Sequence, residues 1–159
     1  MLEDVLAAIA GSTPALALRT SLVAYPVLNA VHILAFATLF GSILVLDLRL
    51  VGALRSIPVE ALARYVPRIA ATGLMLALVT GALLFAVSPQ DYAVNRPFQI
   101  KLLLVGLGTA HAIFVHRSSD WRRLRAEGSI SAGLAVSGAI SIVIWVSAIL
   151  AGRFIAFVE

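Results

Sequence analysis

The 159-residue sequence contains no cysteine, which excludes disulfide bonds, thiolate metal sites, iron–sulfur clusters and cysteine nucleophiles. Charge is also scarce, because Asp, Glu, Lys and Arg together make up only 13% of the residues. Hydrophobic residues make up 61%, and the mean hydropathy is +1.02. A soluble domain of this length could not bury that much apolar surface. The composition therefore indicates an integral membrane protein and excludes disordered, fibrous and nucleic-acid-binding classes.

Long stretches with little or no charge predict four membrane-spanning helices. Each stretch reaches the roughly 20 residues that cross about 30 Å of hydrocarbon at about 1.5 Å per residue. Backbone groups in lipid must be paired internally, so we expect an all-α, integral membrane four-helix bundle that forms one domain over residues 1–159. The predicted helices are 24–48, 67–88, 97–117 and 130–153.

The beginning of the chain predicts a short interfacial helix rather than a signal peptide. Glu3 and Asp4 are acidic where a signal peptide carries positive charge. The apolar residues of segment 2–10 fall on one side of a helix, which suits a helix lying in the membrane interface. We expect it to end at residues 11–14; the alternative is a frayed terminus.

Basic residues are distributed unequally between the two sides of the predicted bundle. The first and third connections carry Arg49, Arg55, Arg64, Arg68, Arg117, Arg122, Arg123 and Arg125. The opposite side carries Arg19, Arg96, Lys101 and Arg153. The positive-inside rule therefore predicts that the first and third connections lie in the cytoplasm and that both termini lie on the outer side of the membrane. The pI near 10.3 is explained by topology and lipid contact, with no nucleic-acid partner.

Small residues recur at four-residue spacing and predict close helix contacts in the bilayer. The predicted contact residues are Ala37 and Gly41, then Gly73, Ala77 and Gly81, then Gly106 and Ala110, and finally Gly133, Ser137 and Ser141.

His32 is the first candidate for chemistry, because titratable groups inside a membrane are expensive and need a reason. Asn29 and Phe36 share its helix face. A hydrogen bond from Asn29 would leave one imidazole nitrogen of His32 free for haem iron or another metal. The alternative is a neutral His32 that makes an interhelical hydrogen bond.

His111 and His116 are the other candidate metal ligands. A haem between His32 and His111 requires both at one depth. Counted from the cytoplasmic arginines, the depths of His32 and His111 differ by about 16 Å. Counted from the outer side, they differ by about 4–5 Å, so a haem between these two residues remains an open alternative. His116 lies about 140° around the helix from His111 and near its cytoplasmic end.

Two cations on the outer side are candidate cofactor contacts. Lys101 either snorkels to the interface or pairs with a carboxylate such as a haem propionate or Asp91. With Arg153 it could hold propionates or an anionic headgroup. Asp47, near the cytoplasmic rim, is expected to pair with an arginine of a neighbouring helix.

Several motifs together resemble a bacterial family of unknown function, whose members are small membrane proteins with four predicted helices. The resemblance runs from about residue 15 to the end of the chain. Its carriers are Tyr25-Pro26-x-x-Asn29-x-x-His32, Gly41-Ser42, Asp47-Leu48-Arg49-Leu50-x-Gly52, Thr80-Gly81-x-x-x-Phe85, Asn95-x-Pro97-Phe98-x-x-Lys101, His116-Arg117, Ser141-x-x-x-Trp145 and Ala151-Gly152-Arg153.

More distantly, His32, Arg49 and Lys101 look like positions of HemJ-type protoporphyrinogen oxidases and CopD-type copper-resistance proteins. Those relatives imply tetrapyrrole or copper chemistry. Copper is less expected, because Met75 is the one internal methionine.

The first functional hypothesis is a bacterial inner-membrane protein, with both termini periplasmic, that binds haem b or a metal ion through His32 for electron transfer or redox sensing. The second is a non-catalytic subunit of a larger membrane complex. The third is a small oligomeric transporter, although the spans carry no acid near the middle of the membrane to relay protons.

Overall fold

A computed structural model describes residues 1–157. Their elements, in chain order, are α1 (Leu2–Ala10), α2 (Thr13–Thr20), α3 (Ala24–Leu50), α4 (Val59–Val87), α5 (Pro89–Val94), α6 (Arg96–Arg117), α7 (Ser119–Glu127) and α8 (Ala132–Phe154). Four of them, α3, α4, α6 and α8, are long and apolar enough to cross a membrane. The all-α membrane bundle predicted from the sequence is confirmed.

The helix α4 begins at Val59, so the prediction that this span starts at residue 67 is wrong. Pro67 lies inside the helix, where it removes one backbone hydrogen bond. The helical turns of α4 before Pro67 are stabilised by packing, since Val59 and Ala63 are buried in one cluster with Trp121 and Leu124. The other three spans begin and end within three residues of their predicted limits.

The N-terminal helix over residues 2–10 is confirmed as a helix, and its place in the membrane interface stays a prediction. Residues 11–14 do not lead into a loop. Ser12 precedes a second helix, α2, and Pro14 lies in its first turn, where the missing N–H is not needed. Arg19 at the end of α2 donates from Nε to the carbonyl oxygen of Val87, 2.6 Å away, and so fastens α2 to the end of α4.

The spans pack in the order α4–α3–α8–α6, and no Cα atom of α4 lies within 8 Å of one in α6. A Cβ atom on Gly73 would lie 2.7 Å from the backbone nitrogen of Leu39, so α3 and α4 are in close contact there, as predicted. Gly138 of α8 likewise meets Leu50 of α3. Gly108 of α6 receives the ring of Trp145 from α8.

Other predicted small-residue contacts are wrong. Ala37 and Ala110 are exposed, and a Cβ atom on Gly41 or Gly106 would meet nothing within 4 Å. Four-residue spacing marks a helix face but does not determine whether that face meets a helix or lipid.

The two ends of the bundle differ. The end that carries the connections 51–58 and 118–131, called the arginine-rich end below, holds the cluster of Leu46, Val66, Trp121 and their neighbours. The end that carries α1, α2 and α5 is called the terminal end.

At the terminal end, an aromatic cluster joins α4, α5 and α6. The rings of Phe85 and Phe98 stack with centroids 5.6 Å apart, and Tyr92 lies 5.2 Å from Phe98. Burial, together with neighbouring Tyr25, raises the pKa of the Tyr92 phenol, so this group stays protonated at neutral pH.

Candidate functional site

His32 lies near the terminal end and faces α4. Its Nδ1 is 2.9 Å from Oγ1 of Thr80. The Thr80 hydroxyl also lies 2.7 Å from the carbonyl oxygen of Leu76, to which it can donate its one hydrogen. In the tautomer that this second hydrogen bond favours, Nδ1 of His32 donates to Thr80 and Nε2 keeps a free lone pair.

The neighbours of His32 fix its position. A Cβ atom on Gly81 would lie 3.1 Å from Cε1 of His32, so the ring occupies the space left by this glycine. Asn29 was expected to orient the ring, but its side chain is exposed and makes no hydrogen bond to His32. Thr80 makes that bond instead, because the imidazole turns toward α4 rather than along its own helix.

Lys101 is half-buried near His32 and acts on it electrostatically. Its Nζ is 5.4 Å from the ring centroid of Phe36, one turn from His32, and its chain packs on Gly152. Arg153 is exposed, with its guanidinium 4.6 Å from the ring of Phe157.

No carboxylate balances these two cations within residues 1–157. The ion pair of this part of the chain joins the N-terminal amine to Asp4. Lys101 therefore does not pair with Asp91, and both cations remain available to an anion.

His111 lies at a different level, nearer the arginine-rich end, where its Nε2 is 3.0 Å from Oγ of Ser137. Phe36 is one helical turn from His32 on α3, and its ring contacts Trp145 of α8. Trp145 therefore lies at nearly the same depth in the bundle as His32. Ser137 is about 12 Å farther along α8 than Trp145, at about 1.5 Å per residue. The structure therefore does not bring His32 and His111 together.

His116 lies closer still to the arginine-rich end. Its Nδ1 donates to the carbonyl oxygen of Ala112 at 2.6 Å, and its ring packs edge-on against Trp121. Its Nε2 is buried and has no hydrogen-bond partner. The three candidate histidines thus occupy three levels, and residues 1–157 contain no group of three His, Cys, Asp or Glu side chains that could hold a metal ion.

A cavity of about 440 Å³ lies at the arginine-rich end, between α4 and α6. Most of its wall is apolar, and both tryptophans of the chain contribute to it. Its polar lining residues, apart from Arg117, are Asp47, Thr109, His111, His116, Ser137 and Ser141. Ala71 and Ile113, one on each flanking helix, line the cavity and are also exposed, so it opens between α4 and α6.

The chain matches the family described as "Family of unknown function (DUF6644)" over residues 20–158. It belongs to this family. No curated protein and no solved structure matches the chain. The comparisons therefore give no support to a similarity with HemJ-type or CopD-type proteins, and the site must be interpreted from its own geometry.

Asp47 is the residue of this DUF6644 chain whose surroundings differ most from the sequence prediction. It is 5% exposed, lies next to Ser141 of α8, and makes no ion pair with an arginine. The nearest candidate in sequence, Arg49, donates instead to the carbonyl oxygen of Ile57 at 2.7 Å. Asp47 turns inward between α3 and α8, while Arg49 turns toward the connection, because residues two apart face different directions on a helix.

Proposed function

We propose that Nε2 of His32 binds the iron of haem b, or another metal ion, for electron transfer or redox sensing. The observation that carries this proposal is the hydrogen bond between Nδ1 of His32 and Oγ1 of Thr80. Histidines that bind metals commonly donate their second ring N–H to an oxygen, which fixes the ring and increases the basicity of the coordinating nitrogen. Thr80 offers His32 an oxygen for this purpose.

Lys101 favours haem over a bare metal ion. A cation next to His32 repels a divalent metal ion in a low-dielectric site. Haem b carries two propionate groups, and Lys101 and Arg153 are cations without carboxylate partners in the described part of the chain. The positive charge that disfavours binding of a copper ion would therefore favour binding of haem through its propionates.

One protein ligand is proposed for the iron, since His111 lies at another level of the bundle. His32 would hold the iron, and Lys101 and Arg153 would hold the propionates. The bound group would supply the one-electron chemistry that electron transfer or redox sensing requires.

We further propose that the protein lies in a bacterial inner membrane with both termini periplasmic. The arginine-rich end carries eight of the twelve Lys and Arg residues of the chain. The positive-inside rule assigns that end to the cytoplasm and His32 to the periplasmic half of the bundle.

An optical spectrum of the detergent-purified protein tests the haem proposal. We expect a Soret band that shifts when dithionite is added, and sharp visible bands in the reduced state. His32→Ala should lose these bands, whereas the matched variant His111→Ala should keep them.

A flat spectrum from cells well supplied with haem, together with no metal in elemental analysis, overturns the proposal. A colourless protein that co-purifies with a fixed membrane partner would instead support a structural subunit. Copper bound without haem would support His32 as a metal ligand. It would contradict the proposal that Lys101 contacts a haem propionate.

A further inference from the structure

The cavity at the arginine-rich end contains two buried acceptor atoms without partners. Oδ2 of Asp47 and Nε2 of His116 make no hydrogen bond. Nε2 is an acceptor because Nδ1 of His116 carries the hydrogen that it donates to Ala112. A buried acceptor without a donor is destabilising, and buried polar groups in proteins are usually satisfied.

Oδ2 of Asp47 has no donor among the described residues. Ser141 lies next to the carboxyl group, and on the backbone side Asp47 meets Gly138 of α8, which has no side chain to donate. A ligand in the cavity that Asp47 lines is placed to supply the missing donor.

We propose that this cavity binds a lipid-soluble molecule with a hydroxyl head, which donates a hydrogen bond to Asp47. The mostly apolar wall suits an apolar body, and about 440 Å³ falls within the usual size of small-molecule sites. The carboxyl group rotates readily about its last bond, so either oxygen can turn toward the ligand.

The charges around the cavity favour a neutral head over an ammonium group. Arg117 lines the same cavity and repels a cation. A hydroxyl group both donates and accepts hydrogen bonds, so it satisfies Asp47 whether the carboxyl group is ionised or protonated. An ammonium group satisfies only the ionised form.

This site is independent of the proposed haem site. Asp47 lies 15 residues, about 22 Å, from His32 along α3, and no residue that binds the ligand is a proposed haem contact. Loss of haem binding therefore leaves this inference unaffected.

Tryptophan fluorescence can measure binding in the cavity directly. The sequence has two tryptophans, Trp121 and Trp145, and both are buried and line the cavity. Bromine quenches tryptophan at short range. The purified wild-type protein in lipid nanodiscs would be titrated with a long-chain bromoalkanol, its methyl ether and the alkylammonium of the same chain.

We expect the alcohol to quench saturably and to bind about tenfold more tightly than the ether, which cannot donate a hydrogen bond. Equal affinities for the alcohol and the ether, no saturable quenching, or a preference for the ammonium would each overturn the proposal. This comparison uses the wild-type protein, so it holds even where a variant does not fold.

Variants at Asp47 then locate the contact. Asp47→Leu should lose about tenfold in affinity for the alcohol, whereas Asp47→Asn, which keeps an oxygen acceptor, should retain most of it. Asp91→Leu makes the same change at an exposed acid of α5 and should leave quenching unchanged. Unchanged affinity in a folded Asp47→Leu protein would overturn the assignment of Asp47.

Discussion

At the residue scale, one hydroxyl group connects two parts of the molecule. Thr80 lies within hydrogen-bond distance of the carbonyl oxygen of Leu76 in its own helix and of Nδ1 of His32 on the neighbouring helix. It is buried, whereas Thr72, two turns earlier in α4, is exposed and donates only to the carbonyl oxygen of Arg68. The same residue type thus has a positioning role at one place and a local role at the other.

Thr80→Val should weaken haem binding about 10–100-fold, because such a loss is typical when the oxygen that orients a metal-binding histidine is removed. Haem titration of the apoprotein, followed at the Soret band, measures the change. Thr72→Val is the matched control and should bind haem as the wild type does. Equal weakening in both variants would contradict a positioning role for Thr80.

Gly73→Ala should lower the free energy of unfolding by about 1–3 kcal/mol, since overpacking a tight contact has this effect. The added Cβ atom would lie 2.7 Å from the nitrogen of Leu39 and 2.9 Å from the carbonyl oxygen of Ala35. Thermal unfolding in detergent should show a lower Tm. Gly41→Ala, where the Cβ atom meets nothing within 4 Å, should keep or raise the wild-type Tm, because alanine is the better helix former.

At the scale of the elements, α7 covers the arginine-rich end. Ser118 caps this helix by accepting from the backbone N–H of Trp121, and Gly128 ends it with a φ of 68°. Its buried residues, Trp121 and Leu124, pack on α4 and α8, while its arginines are exposed. The helix therefore combines a packed apolar face with a cationic outer face.

Trp121→Ala should detach α7, because truncation of a buried tryptophan costs about 3–5 kcal/mol. Trypsin needs a locally unfolded chain, so cleavage after Arg122 and Arg123 should become faster. Phe114→Ala removes a ring that is 78% exposed on α6 and should leave the cleavage rate unchanged. A cleavage rate in Trp121→Ala equal to that of the wild type would show that α7 is held by other contacts.

The sequence predicts the spans well and their contacts poorly, for a physical reason. Length and apolarity are properties of a single helix, so α3, α6 and α8 could be located from the sequence within three residues. The early start of α4 and the helix α7 depend on packing between distant segments. The contacts of His32 with Thr80 and of Asp47 with Ser141 likewise depend on which helices are neighbours, which periodicity does not determine.

At the scale of the whole molecule, the distribution of charge predicts orientation. The chain has no cysteine, so single cysteines can be introduced without removing any. Ser56→Cys lies in the α3–α4 connection and Gln90→Cys in α5, and both positions are exposed. A membrane-impermeant maleimide added to intact spheroplasts should label Gln90→Cys and should not label Ser56→Cys until the membrane is opened. The reverse pattern would place the termini in the cytoplasm.

The separation of α4 from α6 determines how any occupant of the cavity arrives. Because the opening lies between two spans, between the exposed Ala71 and Ile113, it faces the acyl chains of the surrounding lipid. An occupant would enter by lateral diffusion within one leaflet. Occupancy would then follow the mole fraction of that compound in the bilayer rather than its concentration in water, so adding lipid at a constant total amount of the compound would empty the cavity.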